Sequence, residues 1–190
     1  MTRLTAVGEQ LAVAVTGAPG AGKTSTGQEL ARLLGAALLD LDTVTNPLVD
    51  LLVSALGGQG YDDAQVAPQL RRARYACLVG VARDCLRTGT PVVLVAPFTA
   101  ERVDPAAWDA LARELAEAGG DPRLVWLQIT ADQLGERLRR RAADRDHAKL
   151  ADLPAYLASL DLTPPVGPHA VADATLTPQE QARRLAQQLT

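Results

Sequence analysis

The sequence predicts an α/β fold, a five-stranded parallel sheet with helices on both faces. Three observations predict it. Short apolar runs recur along the chain. Segments with helical periodicity, marked by their own start and stop residues, separate them. The first apolar run also passes through a glycine-rich stretch directly into a helix. Strands that alternate with helices build a parallel sheet covered on both sides.

The elements follow in order. "LAVAVTG" (11–17) reads as a buried strand, and "KTSTGQELARLL" as a helix stopped by Gly35. "AALLDLD" (36–42) is the second strand. Asn46-Pro47 supplies a cap and a first-turn proline, which predicts a short helix over 47–56. "GGQGYDD" (57–63) is a flexible break, and 64–88 is helical up to Gly89. "PVVLVA" (91–96) is the third strand. Asp104-Pro105 opens a helix that ends at Gly119-Gly120. "RLVWLQI" (123–129) is the fourth strand, and Thr130 with Gln133 forms a capping box for a helix to about Asp146. "LPAYLASL" is a short helix, "TPPVGP" (163–168) a rigid connector and "AVADAT" (170–175) the fifth strand. Thr177, Pro178 and Glu180 cap the last helix.

A chain of 190 residues suits one domain, here 1–190, and no linker divides it. The net charge of -3 argues against a general nucleic-acid or membrane binder. No apolar run is long enough to span a bilayer, and "MTRLTAVGEQ" lacks the layout of a signal peptide. Cys77 and Cys85 fall two turns apart on one helix, which suits neither a disulfide nor a metal clip. The expectation is a cytoplasmic protein, monomer or homodimer, with reduced and packed thiols. Of the nineteen basic residues only Lys23 and Lys149 are lysine. His147 and His169 are isolated and lack metal-ligand spacing.

"GAPGAGKT" (17–24) matches G-x-x-x-x-G-K-[ST] at Gly17, Gly22, Lys23 and Thr24. Glycines let the backbone of Gly17, Ala18, Pro19, Gly20, Ala21 and Gly22 wrap a phosphate chain with the N–H groups of its residues other than proline inward. The following helix, with Ser25 in its first turn, presents an N-terminus that favours anions. Lys23 reaches the β- and γ-phosphates, and the Thr24 hydroxyl joins the shell of a magnesium ion. The implied ligand is a nucleoside triphosphate with Mg2+. A glycine-rich turn alone would not need the strand before it and the helix after it.

From this loop and the order of elements the chain resembles the small P-loop kinases. These include shikimate kinase, gluconate kinase, chloramphenicol phosphotransferase and the zeta-toxin-like kinases. The resemblance implies a P-loop NTPase fold of the nucleoside-kinase-like type. It also implies transfer of the γ-phosphoryl group of ATP to a hydroxyl of a small-molecule acceptor. The alternatives are a zeta-toxin-like nucleotide-sugar kinase, or a nucleotide-binding switch or ATPase with little kinase activity.

Asp40 and Asp42 end the second strand, where i and i+2 share a face. Ligands of open parallel sheets sit beyond the carboxyl ends of strands. Two acids there can bind an acceptor, take its proton or hold magnesium through water; one or both could instead cap the turn that follows. The resemblance favours Asp42 as base and Asp40 as substrate or metal support. The third strand ends in Val95-Ala96, where related kinases often carry an acid for magnesium.

"RLRRRAADRDHAK" (137–149) concentrates positive charge. Arg137, Arg141 and Arg145 fall at i, i+4 and i+8 on one face, where like charges repel unless an anion meets them. A triphosphate is such an anion; a solvated face is the plain alternative. The resemblance implies a lid over about 137–153, with one arginine near the adenine and others in the closing lid; among Arg137, Arg141 and Arg145, Arg141 is the catalytic candidate. It also places Arg74, Phe98 and Arg102 beside the acceptor pocket, where an arginine could grip an anionic group.

Overall fold

The computed structural model describes residues 9–55, 67–141 and 147–189. The expected break at 57–63 and the residues 64–66 lie outside them. The chain runs β1 (Gln10–Gly17), α1 (Lys23–Leu34), β2 (Ala37–Asp40), α2 (Leu41–Ala55) and α3 (Ala67–Arg87). It continues through β3 (Val92–Val95), α4 (Thr99–Val103), α5 (Pro105–Glu117), β4 (Gly120–Gln128) and α6 (Ala131–Arg141). It ends with α7 (His147–Ala151), α8 (Leu153–Ala158), β5 (Ala170–Asp173) and α9 (Pro178–Leu189).

The five strands are parallel and lie in the order β2-β3-β1-β4-β5. Alternation along each strand splits the core into two layers. Val13, Val15, Val93, Val95, Val125 and Leu127 face one side, against Leu30 of α1, Leu134 and Leu138 of α6 and Leu185 of α9. Ala12, Ala14, Val92, Leu94 and Leu124 face the other, against Leu78 and Leu86 of α3 and Leu111 and Leu115 of α5. Gly27 lets α1 lie close on β3, since a Cβ there would stand 2.6 Å from Val95 Cγ2. Among the described residues no helix is long and apolar enough to cross a membrane.

Several expected boundaries move. β2 ends at Asp40 and α2 starts at Leu41, so 41–46 are helical and Pro47 lies inside the helix. The cause is Asp40, whose Oδ1 accepts from the N–H groups of Asp42 (2.9 Å) and Thr43 (3.3 Å) and caps the helix early. Leu41, Thr45 and Val49 then form its buried stripe. β4 starts at Gly120 and takes in Pro122; β5 pairs only from Val125, so Pro122 lies where β4 has an open side. The short helix α4 falls between the third strand and the Asp104-Pro105 helix, on residues to which the sequence reading gives no element. The expected packed thiols divide: Cys85 is half-buried and Cys77 is exposed.

Candidate active site

The site forms at the carboxyl ends of β1, β2 and β3. β1 delivers the loop, and Gly20 (φ 91) and Gly22 (φ 102) take left-handed conformations that bend it around. The loop is already closed around its own lysine. Lys23 Nζ donates to the carbonyls of Gly17 (2.9 Å) and Ala18 (3.1 Å). Burial pushes the Lys23 ammonium down from 10.5 to about 8, against the opposing pull of Asp42 and Asp40. Thr24 and Ser25 are exposed in the first turn of α1, beside its unpaired amides.

Asp40 and Asp42 do not share a strand face, because the strand stops between them. They take separate positions on one cavity of about 350 Å³. Asp40 is 8 % exposed and its Oδ2 accepts the Thr24 hydroxyl at 2.8 Å. Asp42 sits in the first turn of α2 with its side chain 74 % exposed, and its Oδ1 meets Arg74 Nη2 at 2.6 Å. Arg74 also donates through Nε to Thr45 Oγ1 (2.8 Å) and through Nη2 to Asn46 Oδ1 (2.8 Å). The α3 arginine thus fixes the start of α2, and with it the direction of Asp42. Pro97 closes the cavity at the end of β3, held by its carbonyl on the Thr16 hydroxyl at 2.6 Å.

These donors suit magnesium. Thr24 Oγ1 and Asp40 Oδ2 are hard oxygens at adjoining positions. Among the described residues no group of three or more His, Cys, Asp or Glu stands together. Phosphate and water oxygens would fill the remaining positions, and Asp40 stands where β3 offers only Val95 and Ala96.

The arginine face of α6 divides its work. Arg137 donates through Nη1 to the carbonyl of Ala21 and through Nη2 to that of Ala174 (2.5 Å). It ties the phosphate loop to the turn between β5 and α9. Burial, with Arg140 and Arg141 nearby, lowers its pKa from the usual arginine value. A hollow of about 190 Å³ lies beside it, lined also by Gln133, Arg140 and Thr175. Arg141 lines the phosphate cavity, together with Lys149 of α7. Arg145 lies outside the described residues.

Two residues expected at the acceptor are placed elsewhere. Phe98 is fully buried, packs edge-on against Tyr75 at 5.7 Å and supports the core behind the cavity. Its N–H donates to the Tyr75 hydroxyl at 2.9 Å. Arg102 is 7 % exposed. Its guanidinium donates to the carbonyls of Asp161 (3.0 Å) and Thr163 (2.8 Å) and to Asp161 Oδ2 (2.6 Å), over the ring of Trp126. Those partners leave it strapping the connector after α8 to the sheet. A wider hollow of about 580 Å³ lies between α3 and α4, lined by Arg71, Arg72 and Glu101. It lacks the phosphate loop, so the smaller cavity is where phosphate chemistry can occur. Sequence reasoning missed Tyr156, whose ring lies under Lys149; nothing in its local pattern marks it.

Known proteins resemble this chain in sequence and in fold. The domain family described as AAA domain (AAA_33) matches residues 13–163. Shikimate kinase 2 of Sodalis glossinidius (strain morsitans) is 28 % identical over 185 residues, covering 92 % of this chain and 93 % of that protein. A gluconokinase from Sinorhizobium meliloti 1021 has a similar structure, with a TM-score of 0.56 at 21 % identity over 96 % of this chain and 97 % of its own. An APS kinase of Mycobacterium tuberculosis, solved with AMPPNP and APS, gives a TM-score of 0.59 at 21 % identity over 95 % of this chain and 97 % of its own.

Proposed function

We propose, because the chain belongs to the AAA_33 family of P-loop domains, that it is an ATP-dependent phosphotransferase acting on a hydroxyl of a small molecule. One observation carries this reading. The phosphate loop and an exposed acid on a different element, Asp42, face one cavity about 350 Å³ in volume. An acid on an element outside the loop has a use in that cavity if a second, small substrate enters it. The relation to shikimate kinase 2 in sequence supports the same class of reaction.

In this reading the loop amides and Lys23 hold the β- and γ-phosphates, and Arg141 balances the charge at the cavity mouth. Magnesium, when bound, neutralises the phosphate oxygens, and Thr24 with Asp40 would hold it. Asp42, aimed by Arg74, orients the acceptor hydroxyl and receives its proton. The acceptor oxygen bonds to the γ-phosphorus as the bond from that phosphorus to the bridging oxygen breaks, and ADP leaves. Arg137 and the hollow beside it lie where the nucleoside end of the nucleotide would pass out of the loop.

The test is ADP formation from Mg-ATP in the presence of polyols, sugar acids, cyclic hydroxy acids and nucleotide sugars, one class at a time. One class should accelerate it, and Lys23→Ala should abolish the acceleration. A slow hydrolysis indifferent to every hydroxyl compound would refute the phosphotransferase reading in favour of a nucleotide switch.

A further inference from the structure

We infer that Lys149 is a second phosphate-binding ammonium of this site, reaching the γ-phosphate, and that Tyr156 is the residue that positions it. The inference rests on the phosphotransferase reading above.

The chain uses arginine almost everywhere it needs a positive charge, and keeps two lysines among its nineteen basic residues. Both line the same cavity, although 126 positions separate Lys23 from Lys149. Lys23 comes from the loop and Lys149 from α7, an independent element. An ammonium is a compact charge with three donors on a flexible stem. A guanidinium is a broad planar fork, and Arg141 already supplies one at this cavity. Two ammonium groups on one small cavity repel each other. A polyanion between them turns that repulsion into attraction on both sides.

The second observation concerns what holds Lys149. Its Nζ lies 5.7 Å from the centre of the Tyr156 ring on α8, a distance at which the ring face attracts a cation. Tyr156 is half-buried and packs against the core layer that includes Leu134 and Leu138. The ring is therefore set by the core of the protein, and the ammonium is set by the ring. Lys149 supplies a charge-assisted hydrogen bond to the γ-phosphate from outside the loop and stabilises it during transfer.

The test measures binding of Mg-AMPPNP and of Mg-ADP to the whole protein by calorimetry, so it needs no acceptor. Lys149→Ala and Lys149→Gln should weaken Mg-AMPPNP roughly tenfold, the loss expected for one charge-assisted hydrogen bond. Mg-ADP should change by less than about threefold, since it lacks the γ-phosphate. Tyr156→Leu should weaken Mg-AMPPNP about three- to tenfold, and Tyr156→Phe, which keeps the ring, should restore it. Melting curves check that each variant is folded. Unchanged Mg-AMPPNP affinity in both Lys149 variants, or equal losses for the two nucleotides, would overturn the assignment of Lys149 while leaving the phosphotransferase reading intact. A Tyr156→Leu variant that binds normally would overturn the positioning role. A wild-type protein that binds neither nucleotide would overturn both readings together.

Discussion

Asp40 accepts the Thr24 hydroxyl at 2.8 Å through one oxygen and the Asp42 N–H at 2.9 Å through the other. A single buried carboxylate therefore joins the helix after the phosphate loop to the helix that presents Asp42. The loop side and the α2 side of the cavity are built as one unit, and separate substitutions should pull their roles apart.

Asp40→Ala should weaken binding of the magnesium–nucleotide complex, and loss of the cap on α2 should cost about 1 kcal/mol of stability. Asp42→Asn should do neither, because the Asp42 side chain is exposed and its ion pair with Arg74 contributes little to stability. Its effect should fall on phosphoryl transfer, with a loss of roughly 10²–10⁴. Calorimetric titration with Mg-ATP, a melting curve and a transfer assay on both variants measure all three. A fully active Asp42→Asn would remove Asp42 from the mechanism.

Nucleotide binding should be pH-dependent through Lys23. In the free protein burial holds this group at about 8 instead of 10.5. Between those values the folded chain binds fewer protons than the unfolded one, so this group makes stability rise with pH across that window. Below about pH 8 the ammonium is charged in both states, and its burial carries its full cost. A bound triphosphate favours the charged form. Binding just above pH 8 should therefore take up protons, and affinity should fall as the pH rises further. Titration in two buffers of different ionisation enthalpy measures the uptake; identical heats would contradict it.

The two arginines of α6 should behave differently. Arg137→Ala would strip partners from the carbonyls of Ala21 and Ala174. It should cost about 1–3 kcal/mol and loosen the phosphate loop. Arg141→Glu lies on an exposed part of the helix. It should leave the melting temperature nearly unchanged while weakening Mg-ATP, and the difference should shrink at high salt. Equal Mg-ATP affinity at low salt would make Arg141 ordinary surface.

Arg102→Ala should act on stability, not on substrate. It removes the strap to Asp161 and Thr163 and the contact over Trp126. A loss of about 2 kcal/mol or more, with unchanged nucleotide affinity, is the expected outcome. Gly27→Ala should destabilise by about 1–3 kcal/mol, because its methyl would meet Val95 Cγ2 at 2.6 Å. Chemical denaturation of both variants checks these values.

Much of the site was legible because its signals are local. The eight residues from Gly17 to Thr24 carry the whole loop, and the strand before and helix after them lie next to it in the chain. Thr130 with Gln133 and Thr177 with Glu180 cap their helices within four residues, as the sequence predicts. The start of α2 was misread for a related reason. Asn46-Pro47 is a strong local start signal, but Asp40 competes from six residues upstream and captures the amides of Asp42 and Thr43 first.

By itself the sequence determined the alternation of strands and helices, the phosphate loop and the rarity of lysine. These depend on neighbours a few residues apart, or on composition. Tertiary structure alone decided which side chains have charge to offer a ligand. Arg74 is taken by Asp42, 32 positions away, and Arg102 by Asp161, 59 positions away. Arg137 is taken by Ala21 across 116 positions. Lys149 reaches the cavity only because α7 folds back beside the loop. An arginine's partner is chosen by distance in space, and a parallel sheet brings together at its carboxyl edge residues that the chain keeps far apart.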